Sequence, residues 1–198
     1  MLPAPIHRLF VRTGTLRSRE LTARGVSRVQ LSRWLAAGEL QRLGHGIYAL
    51  PDYAPNQHAS LVEVARRAPQ VVFCLLTALR FHELTTQAPF EVWIAIGNKD
   101  HPPRLSHPTL RVQRFSPASL DYGVLEHRVD GATLRVTDVA KTVADCFKFR
   151  NKVGLDVALE ALSEAWRSRK LTMDELWHYA TIDRVHNVMR PYLEVLGA

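Results

Sequence analysis

The sequence is poor in most of what specialised protein classes require. Only two cysteines occur in 198 residues, Cys74 and Cys146, each inside an apolar segment. That excludes a disulfide scaffold and a thiolate zinc cluster, and it points to a reducing cytoplasm. The longest uncharged apolar stretch, residues 71–79, is about half of the ~20 residues that a membrane-spanning helix needs. Residues 1–12 mix Pro, His and Arg with apolar side chains and lack the apolar run of a secretory signal. A phosphate-cradling glycine loop and a Gly-x-Ser-x-Gly elbow are both missing. Acidic residues are the scarcer charge, 19 against 26 Lys plus Arg, which leaves a net +7 and a pI near 9.8.

What is present suits a globular chain, with 46% apolar and 23% charged residues. The positive charge is unevenly spread. Residues 1–55 hold eight arginines against three acids, whereas residues 56–198 hold eighteen basic and sixteen acidic side chains. A basic excess of this kind points to an anionic partner, most often nucleic acid. Residues 50–56 (LPDYAPN) carry two prolines with Asp and Asn and read as a linker. The expected organisation is therefore a small basic domain over 1–55 and a larger α/β domain over 56–198.

In the first domain, Ile6, Leu9 and Phe10 fall at helical spacing before Gly14. A second short helix is predicted over 17–23, stopping at Gly25. Ser27 with Gln30 three residues on is a capping-box pattern. Leu31, Trp34 and Leu35 then form an apolar stripe that ends at Gly38. Short β-like runs at 39–43 and 46–50 flank Gly44-His45 and read as a hairpin. Three helices and a hairpin spell a winged helix-turn-helix. In the second domain, helices are predicted at 57–67 and 77–84. Strands are predicted at 71–75, 90–96, 109–115, 125–129 and 133–136, the last two joined by Asp130-Gly131. Helices follow at 138–149, 154–168, 172–181 and 184–196, with Pro191 expected to bend or interrupt the last. The fold class is α+β, a mixed α/β chain with an N-terminal winged helix-turn-helix and a larger α/β domain ending in several helices.

The predicted helix over 27–37 carries the strongest functional signal. Opposite its apolar stripe lie Val29, Ser32, Arg33 and Ala36, with Arg28 near the N-terminal end. Short side chains let a helix sink into the major groove, an arginine pairs bidentately with guanine, and a valine touches a thymine methyl. The alternative is an ordinary solvated helix. Arg42 and His45 on the hairpin suit a wing that meets phosphate or minor groove, or else a plain surface turn. Arg17 and Arg19 are candidate phosphate contacts. The DNA-binding set is thus Arg17, Arg19, Ser27, Arg28, Val29, Ser32, Arg33, Arg42 and His45.

Enzyme motifs fail on inspection. His82-Glu83 opens like a zinc-protease helix, but Thr86 stands where the second histidine belongs. Glu91-Val92-Trp93 places a carboxylate on a strand, with Trp93 where a metal-dependent nuclease has lysine. Asp138 and Lys141, one helical turn apart, read as a surface or capping pair. Neither a metal site nor a cofactor is expected, and catalytic residues are not assigned. The segment 141–145 looks specified beyond packing, and Thr142 and Asp145 are expected to anchor the preceding hairpin or a neighbouring helix end.

These residues bring a family into view. Gly25-Val26-Ser27, Leu31, Gly38-Glu39-Leu40, Arg42 and Gly46-Ile47-Tyr48 resemble the winged helix of the AbiEi-type antitoxins, a family of transcriptional regulators. Leu76-Thr77-Ala78-Leu79 with His82-Glu83-Leu84 is similar to that family's Ser/Thr-Ala-Leu and Gly-Leu segment, with Glu83 where glycine is common. Lys141-Thr142-Val143-Ala144-Asp145 is similar to its basic-Thr-x-x-Asp signature. The resemblance implies a non-enzymatic bacterial regulator, cytoplasmic and DNA-associated, that represses its own operon at inverted repeats. It also implies the antitoxin role in a type IV toxin–antitoxin system connected with abortive infection by phage. There the C-terminal domain counters a nucleotidyltransferase-like toxin without a stable complex. Two other readings remain open from the residues: a DNA-targeted nuclease, and a stand-alone regulator whose second domain dimerises or senses.

Overall fold

The computed structural model describes residues 2–53, 57–105 and 107–196. The C-terminal half of the expected linker, residues 54–56, lies outside the described residues. Two compact units emerge: Met1–Val62 with Arg128–Thr133, and Glu63–His127 with Leu134–Ala198. The chain is a mixture of helices and sheets, as an α+β fold requires.

The first unit opens with α1 (Ala4–Thr13), whose Ile6 and Phe10 sit one turn apart on the buried face. Gly14 ends it at φ +68°, a left-handed conformation that glycine adopts without a Cβ penalty. Then come β1 (Thr15–Arg17), α2 (Ser18–Thr22), α3 (Arg28–Ala36), β2 (Gln41–Gly44) and β3 (Ile47–Ala49). Strand β3 is central, antiparallel to both β1 and β2. Sequence patterning misses β1, because three residues are too few for alternation to register. That strand also moves the second helix to start at Ser18 rather than Arg17. Leu21, Leu31, Trp34 and Leu40 close a core of their own with Phe10 and Leu16.

The second unit is built on a five-stranded mixed sheet in the order β6-β5-β4-β8-β7. Its elements are α4 (Ala59–Arg67), which begins at the end of the first unit's stretch, β4 (Val72–Phe73), α5 (Leu75–Phe81), β5 (Val92–Gly97), β6 (Leu110–Phe115), α6 (Pro117–Asp121), β7 (Val124–Val129) and β8 (Ala132–Thr137). Strand β4 runs antiparallel to β5 and parallel to β8, while β5 and β6 are parallel. Helices α7 (Val139–Lys148), α8 (Arg150–Val153), α9 (Leu155–Arg167), α10 (Met173–Ile182) and α11 (His186–Val195) complete it. The core joins Val72, Phe147, Leu162 and Met189.

Several boundaries differ from the sequence expectation. The strand expected over 71–75 is only two residues long, because Leu75 takes a positive φ of 49° and starts α5 earlier than expected. Helices α6 and α8 are too short to show a period. Pro191 does not interrupt α11, which runs through it. The Asp130-Gly131 turn does follow its signal, with positive φ at both residues as a tight hairpin turn requires.

Candidate nucleic-acid interface

Helix α3 is fixed at its start by a reciprocal cap. Gln30 N donates to Ser27 Oγ at 3.2 Å, and Ser27 N donates to Gln30 Oε1 at 3.0 Å. Two of the N–H groups exposed at the helix start are thereby satisfied, so α3 begins at a defined residue. The inner face is anchored by Leu31 and Trp34, both buried. Rotation of ~100° per residue then leaves Arg28, Val29, Ser32, Arg33 and Ala36 exposed. Val29 is 62% exposed, an unusual position for a β-branched apolar side chain with only solvent to meet.

The side chains of Arg28 and Arg33 make no hydrogen bond or ion pair among the described residues, and neither does that of Arg19, exposed on α2. Their guanidiniums are free to meet an anion. Arg17 is placed differently from the expectation. It lies half-buried in β1, before the helix, and its backbone N donates to the Glu20 carboxylate at 2.6 Å. Ser27 commits its hydroxyl oxygen to the cap but keeps its O–H as a donor. On the hairpin, Gly46 at φ +70° makes the turn between β2 and β3. Arg42 folds over that turn, its Nε donating to Gly44 O at 3.2 Å and its Nη2 to His45 Nδ1 at 3.4 Å. The structure thus gathers Ser27, Arg28, Val29, Ser32 and Arg33 on α3, and Arg42 with His45 on the hairpin. Among the described residues no hydrogen bond or ion pair joins these two sets. Arg8 and Arg12, exposed one turn apart on α1, were not singled out by the sequence. Their i, i+4 spacing, which sets two arginines on one exposed helix face, is the signal that would have found them.

In the second unit, the expected anchor role of Thr142 is what the geometry gives. Thr142 Oγ1 lies 2.6 Å from Asp138 O and 2.7 Å from Thr137 Oγ1, tying α7 to the end of β8. Asp138 caps α7 by accepting from Lys141 N at 2.7 Å and also accepts from Tyr179 Oη at 2.7 Å. The Lys141 side chain, however, is not at the surface. It is completely buried, with Nζ 2.5 Å from Asp145 Oδ1, 3.2 Å from Ser119 Oγ and 3.7 Å from Asp183 Oδ2. Lys148, partly exposed, reaches Asp183 Oδ1 at 2.9 Å. The sequence carries a trace of this cluster in a lysine and an aspartate at i, i+4 among Ala, Val, Cys and Phe. Ser119 and Asp183 carry none.

The residues of the enzyme-like motifs are placed as follows. His82 Nε2 donates to Thr137 O at 2.7 Å, and burial holds its pKa below the ordinary value. Glu83 sits at φ +59°, which is why a glycine suits that position. Glu91 faces Arg111 at 3.7 Å. Among the described residues, no three His, Cys, Asp or Glu gather as a metal site would need, and no helix is long and apolar enough to cross a membrane.

No curated protein matches the chain. Residues 6–51, which run from the buried Ile6 of α1 through α3 and the hairpin, match a family model described as "Transcriptional regulator, AbiEi antitoxin", the same family that the motifs of the winged segment resemble.

Proposed function

We propose that the chain is a DNA-binding transcriptional autorepressor that serves as the antitoxin of a type IV toxin–antitoxin system. One observation carries the reading. Helix α3 presents Arg28 and Arg33, free of intramolecular partners, beside exposed Val29 and Ser32, on the segment that matches a family of transcriptional regulators. Arg28 and Arg33 serve as base-edge or phosphate contacts, Val29 and Ser32 fit the groove floor, and Arg19, Ser27, Arg42 and His45 position the unit on the backbone. The operator is the chain's own promoter, read as inverted repeats. The second domain, expected over 56–198, has the antitoxin or regulatory role against a nucleotidyltransferase-like toxin, exerted without a stable complex. The protein acts by binding, in the bacterial cytoplasm and on DNA.

The test is a binding titration on the native promoter at several salt concentrations. Replacing a base-reading arginine costs about 1–3 kcal/mol and relaxes preference at its base pair, whereas replacing a phosphate contact lowers the salt slope by about one. If Arg28→Ala and Arg33→Ala both leave affinity, specificity and slope unchanged, α3 is not the recognition helix.

A further inference from the structure

The turn at Asp130-Gly131 belongs to the first unit, although β7 and β8, which carry it, are strands of the five-stranded sheet. Specific contacts fasten it there. Tyr53 Oη donates to Asp130 Oδ2 at 3.0 Å, across 77 positions of sequence. Two glycines meet at the same place. A Cβ on Gly131 would stand 2.8 Å from Thr13 Cγ2, and one on Gly14 would stand 2.8 Å from Tyr53 Cε2 and 3.3 Å from Asp130 Cγ. Carbon atoms attract best at ~3.5–4.0 Å, so only glycine lets the turn close this tightly on the end of α1. Thr13 gives its hydroxyl to Leu9 O at 2.7 Å, which leaves its methyl for Gly131. A hairpin turn needs none of these partners, because Asp130 and Gly131 already supply the positive φ that the turn requires.

The contacts continue to the candidate DNA-binding face. Gln41 of β2 donates its Nε2 to Leu50 O at 2.8 Å and to Tyr53 O at 3.3 Å. Tyr53 is therefore held at its backbone by the residue next to Arg42 and at its hydroxyl by Asp130. Gln41 and Thr15 both pair with Ala49 of β3, so the same segment meets β1, which follows Gly14 directly.

We propose that the β7–β8 turn is a clip on the DNA-binding unit, which steadies the β2–β3 hairpin and the end of α1 and transmits to them the state of the strands that carry it. Its functional meaning rests on the DNA-binding reading of the first unit. Linkage fixes the consequence. If DNA bound at α3 and the hairpin steadies residues 128–133, then whatever orders β7 and β8 tightens DNA binding by the same factor, and whatever disorders them weakens it. Control of the operator by the second domain runs through this turn.

The experiment is hydrogen exchange on the full chain for wild type, Tyr53→Phe, Asp130→Gly and Asp130→Asn, each with and without native promoter DNA. Tyr53→Phe keeps the ring and loses the hydroxyl. Asp130→Gly suits the φ of +46° and loses the acceptor, so both variants are expected to stay folded. One hydrogen bond of this kind shifts a local opening equilibrium about two- to tenfold. Without DNA, both variants are expected to speed exchange by that factor in 128–133 and in 41–49 together. Asp130→Asn, which keeps an acceptor, is expected to stay near wild type. Faster exchange confined to 128–133, or no change in either segment, overturns the clip. With DNA, wild type is expected to exchange more slowly at 128–133 as well as on α3, and Tyr53→Phe to lose the slowing at 128–133. Protection of α3 with 128–133 unchanged overturns the transmission. Protection of neither segment refutes the DNA-binding reading, and the comparison without DNA still decides the clip.

Discussion

Removing the buried ammonium of Lys141 tests most directly whether the cluster in the second unit is dry. Lys141→Met keeps an unbranched stem of similar length beside the Phe115 ring, so lost packing is a minor component. Lost charge is the major one. Asp145 Oδ1 forfeits its 2.5 Å partner, and Asp183 loses one of its two cations, keeping only Lys148. Breaking a buried pair by deleting one member costs about 3–5 kcal/mol. The surviving Lys148 contact places the expectation at the lower end, about 3 kcal/mol. For a chain of this size each kcal/mol moves Tm by about 2–4 °C, so a fall of roughly 6–12 °C is expected. The assay is thermal unfolding at neutral pH followed by circular dichroism. Its companion is Lys141→Met with Asp145→Leu, which removes the stranded carboxyl and should recover much of the loss. A fall below about 2 °C for the single variant, or no recovery in the double, refutes the reasoning, because either result means that water already solvates the cluster.

Ser27→Ala removes the hydroxyl that accepts from Gln30 N and should cost about 1 kcal/mol, read as a lower Tm with DNA affinity reduced in step, while Ser27→Asp should restore both. Purified protein incubated with DNA and magnesium or manganese should not cleave it; cleavage that disappears in Glu91→Ala would establish the nuclease reading in place of the regulator.

The legible parts of this fold are those where a local rule and the tertiary structure agree. Ser27 and Gln30 satisfy each other within four residues, and Leu31 with Trp34 lie on one turn-spaced stripe, so the start and inner face of α3 needed no long-range information. Asp130-Gly131 likewise sets its turn by its own φ values. Strand β1 exists for a different reason. Thr15, Leu16 and Arg17 pair with Ala49, Tyr48 and Ile47, 30 to 34 positions away, and nothing within three residues announces such a partner. That pairing is also what takes Arg17 out of the second helix and half-buries it, so one unseen strand changed the standing of one candidate DNA contact. The polar cluster makes the same point from the other side. Lys141 reads as half of a surface or capping pair until Ser119 and Asp183 arrive from distant parts of the chain, and only their arrival, beside Asp145, makes its burial tolerable. Exposed arginines on α3 are legible because solvent exposure is the default for charge. A buried lysine is not, because its environment is assembled entirely by the fold.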